Sequence, residues 1–164
     1  MSETLTLFEF SKKSKLDHWK IVNDEVMGGL SMGLLQINQK GQGVFSGHVS
    51  LDNNGGFSLV RYDFERINVE NFSSFVLRLK GDGKKYQMRC KSSDHQRHSY
   101  IYSFTSKKDW EIIDIPFSKM APFFRGDSLQ LPNFHGDFLA EIAILIGNNV
   151  EEDFCLELDY IKLK

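Results

Sequence analysis

No run of apolar residues in this chain approaches the ~18 that a membrane-spanning helix needs. The longest, Ile142 to Ile146, has the length of a strand. Met1 to Phe10 carries neither a basic head nor a long apolar stretch, so it does not read as a signal peptide. Cysteine is scarce: Cys90 and Cys155 stand alone, without metal-ligand spacing. A single bridge between them stays open on sequence grounds, but missing targeting favours free thiols in a reducing compartment. Charge of one sign does not dominate either. Twenty basic residues against 22 acidic ones give −2, leaving no positive field to draw phosphate backbones. The chain is therefore expected to be soluble and cytoplasmic, with no membrane insertion and no nucleic-acid partner.

Motifs of catalysis are missing as well. There is no phosphate loop, no Gly-x-Gly-x-x-Gly opening a helix and no Gly-x-Ser-x-Gly elbow. The nearest Gly-rich piece, Val26 to Gly33, follows no apolar strand and opens no helix; it reads as a tight, irregular loop. His95 and His98 lie three apart in a polar loop, and His18, His48 and His135 have no local partner at ligand spacing. Asp24, Asp63, Glu157 and Asp159 are the acids that would have to converge for glycoside hydrolysis. Glu9 with Asp159 are the oxygen donors to consider for a structural calcium. No cofactor or metal is called for, and the chain does not read as an enzyme.

What is present points to sheets. The 164 residues include 14 Phe and only 3 Pro, and aromatic rings suit a pleated, half-buried surface. Alternation with period two recurs. Phe75, Leu77 and Leu79 face one way, Val76, Arg78 and Lys80 the other. After Gly81-Asp82-Gly83, Tyr86, Met88 and Cys90 alternate against Gln87, Arg89 and Lys91. The two segments read as an antiparallel hairpin. Phe45, Val49 and Leu51 alternate through 44–51, and a strand is expected over 57–64. Tyr100, Tyr102 and Phe104 share a side. Trp110 to Ile115 ends at Pro116, which marks a strand end or edge. Phe154, Leu156, Leu158 and Tyr160 are expected inward on a last strand, with Cys155, Glu157, Asp159 and Ile161 opposite.

Helix signals are confined to turns near 11–19 and 118–124, and 116–138 reads as the longest irregular segment. Eight to ten short strands in one domain, 1–164, without a βαβ rhythm, argue for an all-β jelly-roll sandwich; an up-and-down barrel is the alternative. Arg61, Arg78 and Arg89 each fall on a strand, with donors in a rigid fork suited to carboxylates, phosphates or sugar hydroxyls. Arg61 shares parity with Phe57 and Leu59, so it is expected partly buried against an acid such as Asp24 or Asp63.

Two stretches are more particular. Trp19-Lys20-Ile21-Val22-Asn23-Asp24-Glu25-Val26-Met27-Gly28-Gly29-Leu30-Ser31, and Phe45-Ser46-Gly47 continuing to Asn53-Asn54-Gly55-Gly56-Phe57-Ser58-Leu59-Val60-Arg61, resemble the complex I intermediate-associated protein 30 family. Arg78 to Gly83, Tyr86, Arg89, Trp110, Phe123-Phe124-Arg125-Gly126 and Leu156 to Ile161 extend the resemblance over most of the chain. It implies a galactose-binding-domain-like jelly roll and a non-catalytic role, since mitochondrial members are assembly factors for respiratory complex I. The absence of a transit-like leader suggests a bacterial stand-alone member. The implied binding patch is Trp19, Asn23, Asp24, Met27, Arg61, Arg78, Tyr86, Arg89 and Arg125. Gly28, Gly29, Gly55 and Gly56 read as backbone devices. The implied partner is a protein, a respiratory-complex subunit or assembly intermediate; the alternative is a carbohydrate.

Overall fold

Alternating apolar residues become strands wherever one face can be buried. A computed structural model, which describes residues 3–24 and 29–164, forms thirteen of them: β1 (Leu5–Glu9), β2 (Trp19–Asn23), β3 (Met32–Ile37), β4 (Gly43–Val49), β5 (Ser58–Asn68), β6 (Ser74–Lys80), β7 (Lys85–Lys91), β8 (Ser99–Thr105), β9 (Trp110–Pro116), β10 (Ala121–Phe124), β11 (Asp127–Ser128), β12 (Phe138–Ile146) and β13 (Glu152–Leu163). All pair antiparallel. Sheet A is ordered β3-β4-β13-β6-β9, with β1 also on β13; sheet B is ordered β11-β10-β8-β7-β12-β5-β2. The two sheets form a jelly-roll sandwich, not a barrel. Among the described residues no helix is long and apolar enough to cross a membrane.

The inward set is the expected one over most of its length. Phe45, Phe75, Leu77, Leu79, Met88, Leu156 and Leu158 are fully enclosed, each side chain contributing about 1.5–3 kcal/mol. β12 lies between β7 and β5, so its outer residues Ala143 and Leu145 are buried as well as Ile142, Ile144 and Ile146. That double burial explains its uninterrupted apolar run. Pro116 ends β9 at the edge of sheet A, where a missing N–H costs no ladder bond.

Several expectations need correction. β6 and β7 are not a hairpin: β6 pairs with β13 and β9, β7 with β8 and β12. Gly81 to Lys84 therefore crosses between sheets. Asp82 holds that crossing by accepting the Tyr86 hydroxyl at 3.0 Å and the Cys155 N–H at 2.8 Å. On β13 a bulge between Leu158 and Tyr160 reverses the parity, so Ile161 and Leu163 are buried and Tyr160 is not. β4 ends at Val49, and Leu51 beyond it is exposed. The segment 116–138 holds a 3-10 turn at Phe117–Lys119 and the strands β10 and β11. Thirteen strands replace eight to ten because such short edge strands leave little periodic signal.

Candidate functional site

The motif residues divide between the interior and two outer faces. Trp19 is buried in a cluster with Phe8, Phe10 and Tyr62, stacked on Tyr62 at 4.8 Å. Tyr86 is fully buried, and its enclosure beside Asp82 pushes the phenol far above its usual range. Asn23 Oδ1 accepts the Ser58 hydroxyl at 2.6 Å, joining β2 to β5. These three belong to the core.

Asp24 is a structural hub. Oδ1 accepts the Ser31 N–H at 2.9 Å; Oδ2 accepts the Ser31 hydroxyl, the Gly56 N–H at 2.5 Å and the Phe57 N–H at 3.3 Å. Ser31 Oγ in turn accepts the Ser50 N–H at 2.9 Å. Burial opposes the charge, but the donors outweigh it and hold the carboxyl below its ordinary value. Gly29 and Gly55 are required here for room, since a Cβ on either would collide with the Asp24 carboxyl. Gly56 is required for its φ of +147°. Asp24 is not the partner of Arg61. Met27 and Gly28 lie outside the described residues.

Arg78 stands on the outer face of sheet A, 2.7 Å from Asp159 and over the Trp110 ring at 4.5 Å. That pairing also occupies the Asp159 carboxylate considered for calcium. Among the described residues no group of three or more His, Cys, Asp and Glu is placed to hold a metal.

Arg61 and Arg89 come together on the outer face of sheet B. Register aligns Lys20, Arg61, Ala143, Arg89, Ile101 and Ala121 in one row across β2, β5, β12, β7, β8 and β10. Small Ala143 separates the two guanidinium-bearing strands. Arg61 thus stands on the outer face, yet it is partly buried against an acid as expected, with Asp63 at 3.1 Å and Glu141 at 3.8 Å. Burial, helped by the facing Asp63, raises the Glu141 carboxyl, while Lys91 and Arg61 oppose the rise.

Beside this row a depression of about 400 Å³ opens over β7, β8 and β10. Gln87, Arg89, Ile101, Tyr102, Ser103, Lys119, Ala121, Phe123 and Gly126 line it. Arg89 Nε and Nη2 both donate to Gln87 Oε1, at 3.0 and 2.8 Å. Desolvation draws its guanidinium down to about 10. Arg125 occupies the adjoining β10–β11 turn, with its guanidinium 5.2 Å from the Phe124 ring centre. A second depression of about 580 Å³, lined by Lys84, Lys85, Gly147, Asn148, Asn149 and Glu152, shares Gln87 with the first. Of the nine motif residues, Arg61, Arg89 and Arg125 therefore fall on this side. Sequence reasoning did not assign Gln87, Ser103 or Lys119 to a site, and Phe123 entered only as part of the Phe123 to Gly126 motif. The signal for Gln87 was its shared parity with Arg89; Lys119 and Phe123 lay in a segment read as irregular.

A model of the family described as complex I intermediate-associated protein 30 matches residues 8–158. The mouse protein "Complex I intermediate-associated protein 30, mitochondrial" is 25% identical, aligned over 98% of this chain and 56% of its own length. The Drosophila melanogaster protein of that name is 25% identical over 99% of this chain and 63% of its own. The chain thus spans little more than half the length of these relatives. Among solved structures, a family 11 carbohydrate-binding module from a Clostridium thermocellum cellulosomal cellulase superposes with a TM-score of 0.72 at 19% identity, covering 99% of this chain and 95% of the module. At that identity the likeness shows the jelly-roll fold.

Proposed function

The chain belongs to the complex I intermediate-associated protein 30 family, and from that premise we propose that it is a non-catalytic binding domain, 1–164, that holds a subunit or assembly intermediate of respiratory complex I. The outer face of sheet B is the binding surface, with Arg61, Arg89 and Arg125 among its contacts. The observation that carries this reading is Arg89: a desolvated guanidinium beside a depression, with an amide oxygen and, among the described residues, no carboxylate as its protein partner. Ion pairing of the candidate acids supports a non-catalytic role. Asp63 and Glu141 face Arg61, Asp159 faces Arg78, and Glu157 lies 4.0 Å from Lys80. We place the chain in the cytoplasm, whereas the two relatives are named as mitochondrial.

The test is crosslinking and pulldown from the host, comparing wild type with a folded Arg61→Ala, Arg89→Ala double variant. Complex I subunits enriched by wild type and lost from the variant are the expected result. Their absence from the wild-type pulldown would overturn the assembly reading.

The second reading is a carbohydrate module. Tyr102 and Phe123 line the same depression as Gln87, Arg89 and Ser103, combining rings for stacking with donors for hydroxyls. Trp19 and Trp110 do not line it, so calorimetric titration against a glycan panel is a better probe than tryptophan fluorescence. Saturable heat from a neutral oligosaccharide would favour this reading; none across the panel would end it.

A further inference from the structure

The three strand arginines are treated differently by the fold. Arg78 has Asp159 at 2.7 Å, and Arg61 has Asp63 at 3.1 Å and Glu141 at 3.8 Å. Arg89 has no acid within ion-pair distance among the described residues, although burial desolvates its guanidinium. Two of the five guanidinium N–H donors are held by Gln87 Oε1, which leaves three and fixes the plane of the fork. Around it stand further donors. Lys119 is exposed at the rim with no acid partner among the described residues, and the Ser103 hydroxyl and Gln87 amide line the same depression. Glu141, on the same face, is opposite Lys91 and already shared with Arg61.

A desolvated cation is costly unless a counter-charge reaches it. Neutral hydroxyls can satisfy its hydrogen bonds but not its charge. We propose that the depression around Arg89 is a receptor for a carboxylate carried by the ligand, which docks on the free edge of the guanidinium and is flanked by Lys119 and Ser103. This rests on the reading of the outer face of sheet B as the binding surface. In keeping with that reading, the carboxylate is an acidic side chain of the protein partner.

The experiment is NMR titration of the intact chain, following the Arg89 Nε–H and the amides of Gln87, Ile101 and Ser103. The probes are a hexaglutamate peptide and trigalacturonate, each beside its neutral counterpart, hexaglutamine and cellotriose. An acidic probe is expected to shift these signals saturably while its counterpart does not. A response to the peptide supports a protein carboxylate, and one confined to trigalacturonate would overturn it in favour of a uronic acid. Arg89→Met should abolish the response without lowering the melting temperature, because methionine needs no counter-charge. Arg89→Lys, which keeps the charge but not the fork, should bind roughly tenfold more weakly.

Equal shifts from neutral probes, no shift from either acid at ~10 mM, or undiminished binding by Arg89→Met would overturn the proposal. Its failure is separable from that of the assembly reading. Complex I subunits captured equally by wild type and Arg89→Met would remove the receptor and leave the assembly role. Acid binding without capture of complex I subunits would do the reverse.

Discussion

Asp24 joins three backbone N–H groups and a hydroxyl from two loops on one carboxylate, so its protonation state is a stability term. The folded-state value lies below the ordinary one, because the donors favour the charged form. Its contribution is complete above the unfolded-state value and lost as pH falls through the lowered folded value. Asp24→Asn turns an amide N–H₂ toward those donors and should cost about 2–4 kcal/mol near pH 7. The deficit relative to wild type should shrink below about pH 4, as the wild-type carboxyl also becomes neutral. Denaturant unfolding at several pH values measures it. A deficit unchanged down to about pH 2 would show that shape, not charge, is what the hub requires.

At the level of elements, the β10–β11 hairpin turns through Arg125 at φ 51° and Gly126 at φ 85°, between the paired Phe124 and Asp127. Two positive φ values in a two-residue loop are those of a type I′ turn. Glycine is at ease there; arginine is not. Arg125→Gly should leave stability unchanged or raise it by up to ~1 kcal/mol. Arg125→Val should cost about 1–2 kcal/mol, a fall of roughly 2–8 °C in melting temperature. A valine variant as stable as wild type would contradict the turn assignment.

The sandwich as a whole separates its two thiols. Cys90 points inward from sheet B and is buried, whereas Cys155 is exposed on sheet A. Burial, with Glu141, raises the Cys90 thiol; partial burial, with Glu157 and Asp82, raises that of Cys155. Both are therefore weakly nucleophilic at neutral pH. A disulfide reagent should modify Cys155 in the native protein, and Cys90 only as fast as the sandwich opens. The slow phase should share the denaturant dependence of global unfolding. Both thiols reacting in one fast phase would mean that sheet B opens independently of sheet A. The same division into sheets places Arg78 on one outer surface and Arg61 and Arg89 on the other, so the motif arginines cannot form one site.

Period-two alternation was sufficient for the all-β class and for most of the inward set, because the pleat couples residue parity to face without reference to any partner. Motif content was sufficient for the family. Alternation says nothing about which strand lies alongside. Gly81-Asp82-Gly83 carries turn chemistry that serves a hairpin and a crossing between sheets equally, and the Asp82 bond to Cys155 that distinguishes them spans 73 positions. The bulge at Asp159 was likewise invisible, because its extra residue leaves a local pattern that reads as ordinary strand until β6 is set beside it. The candidate face follows the same logic. That Arg89 points away from the core was legible from its neighbours in the chain. That it stands without a carboxylate among the described residues, while Arg61 has two, depends on register with β5 and β12, and register is a property of the assembled sheet.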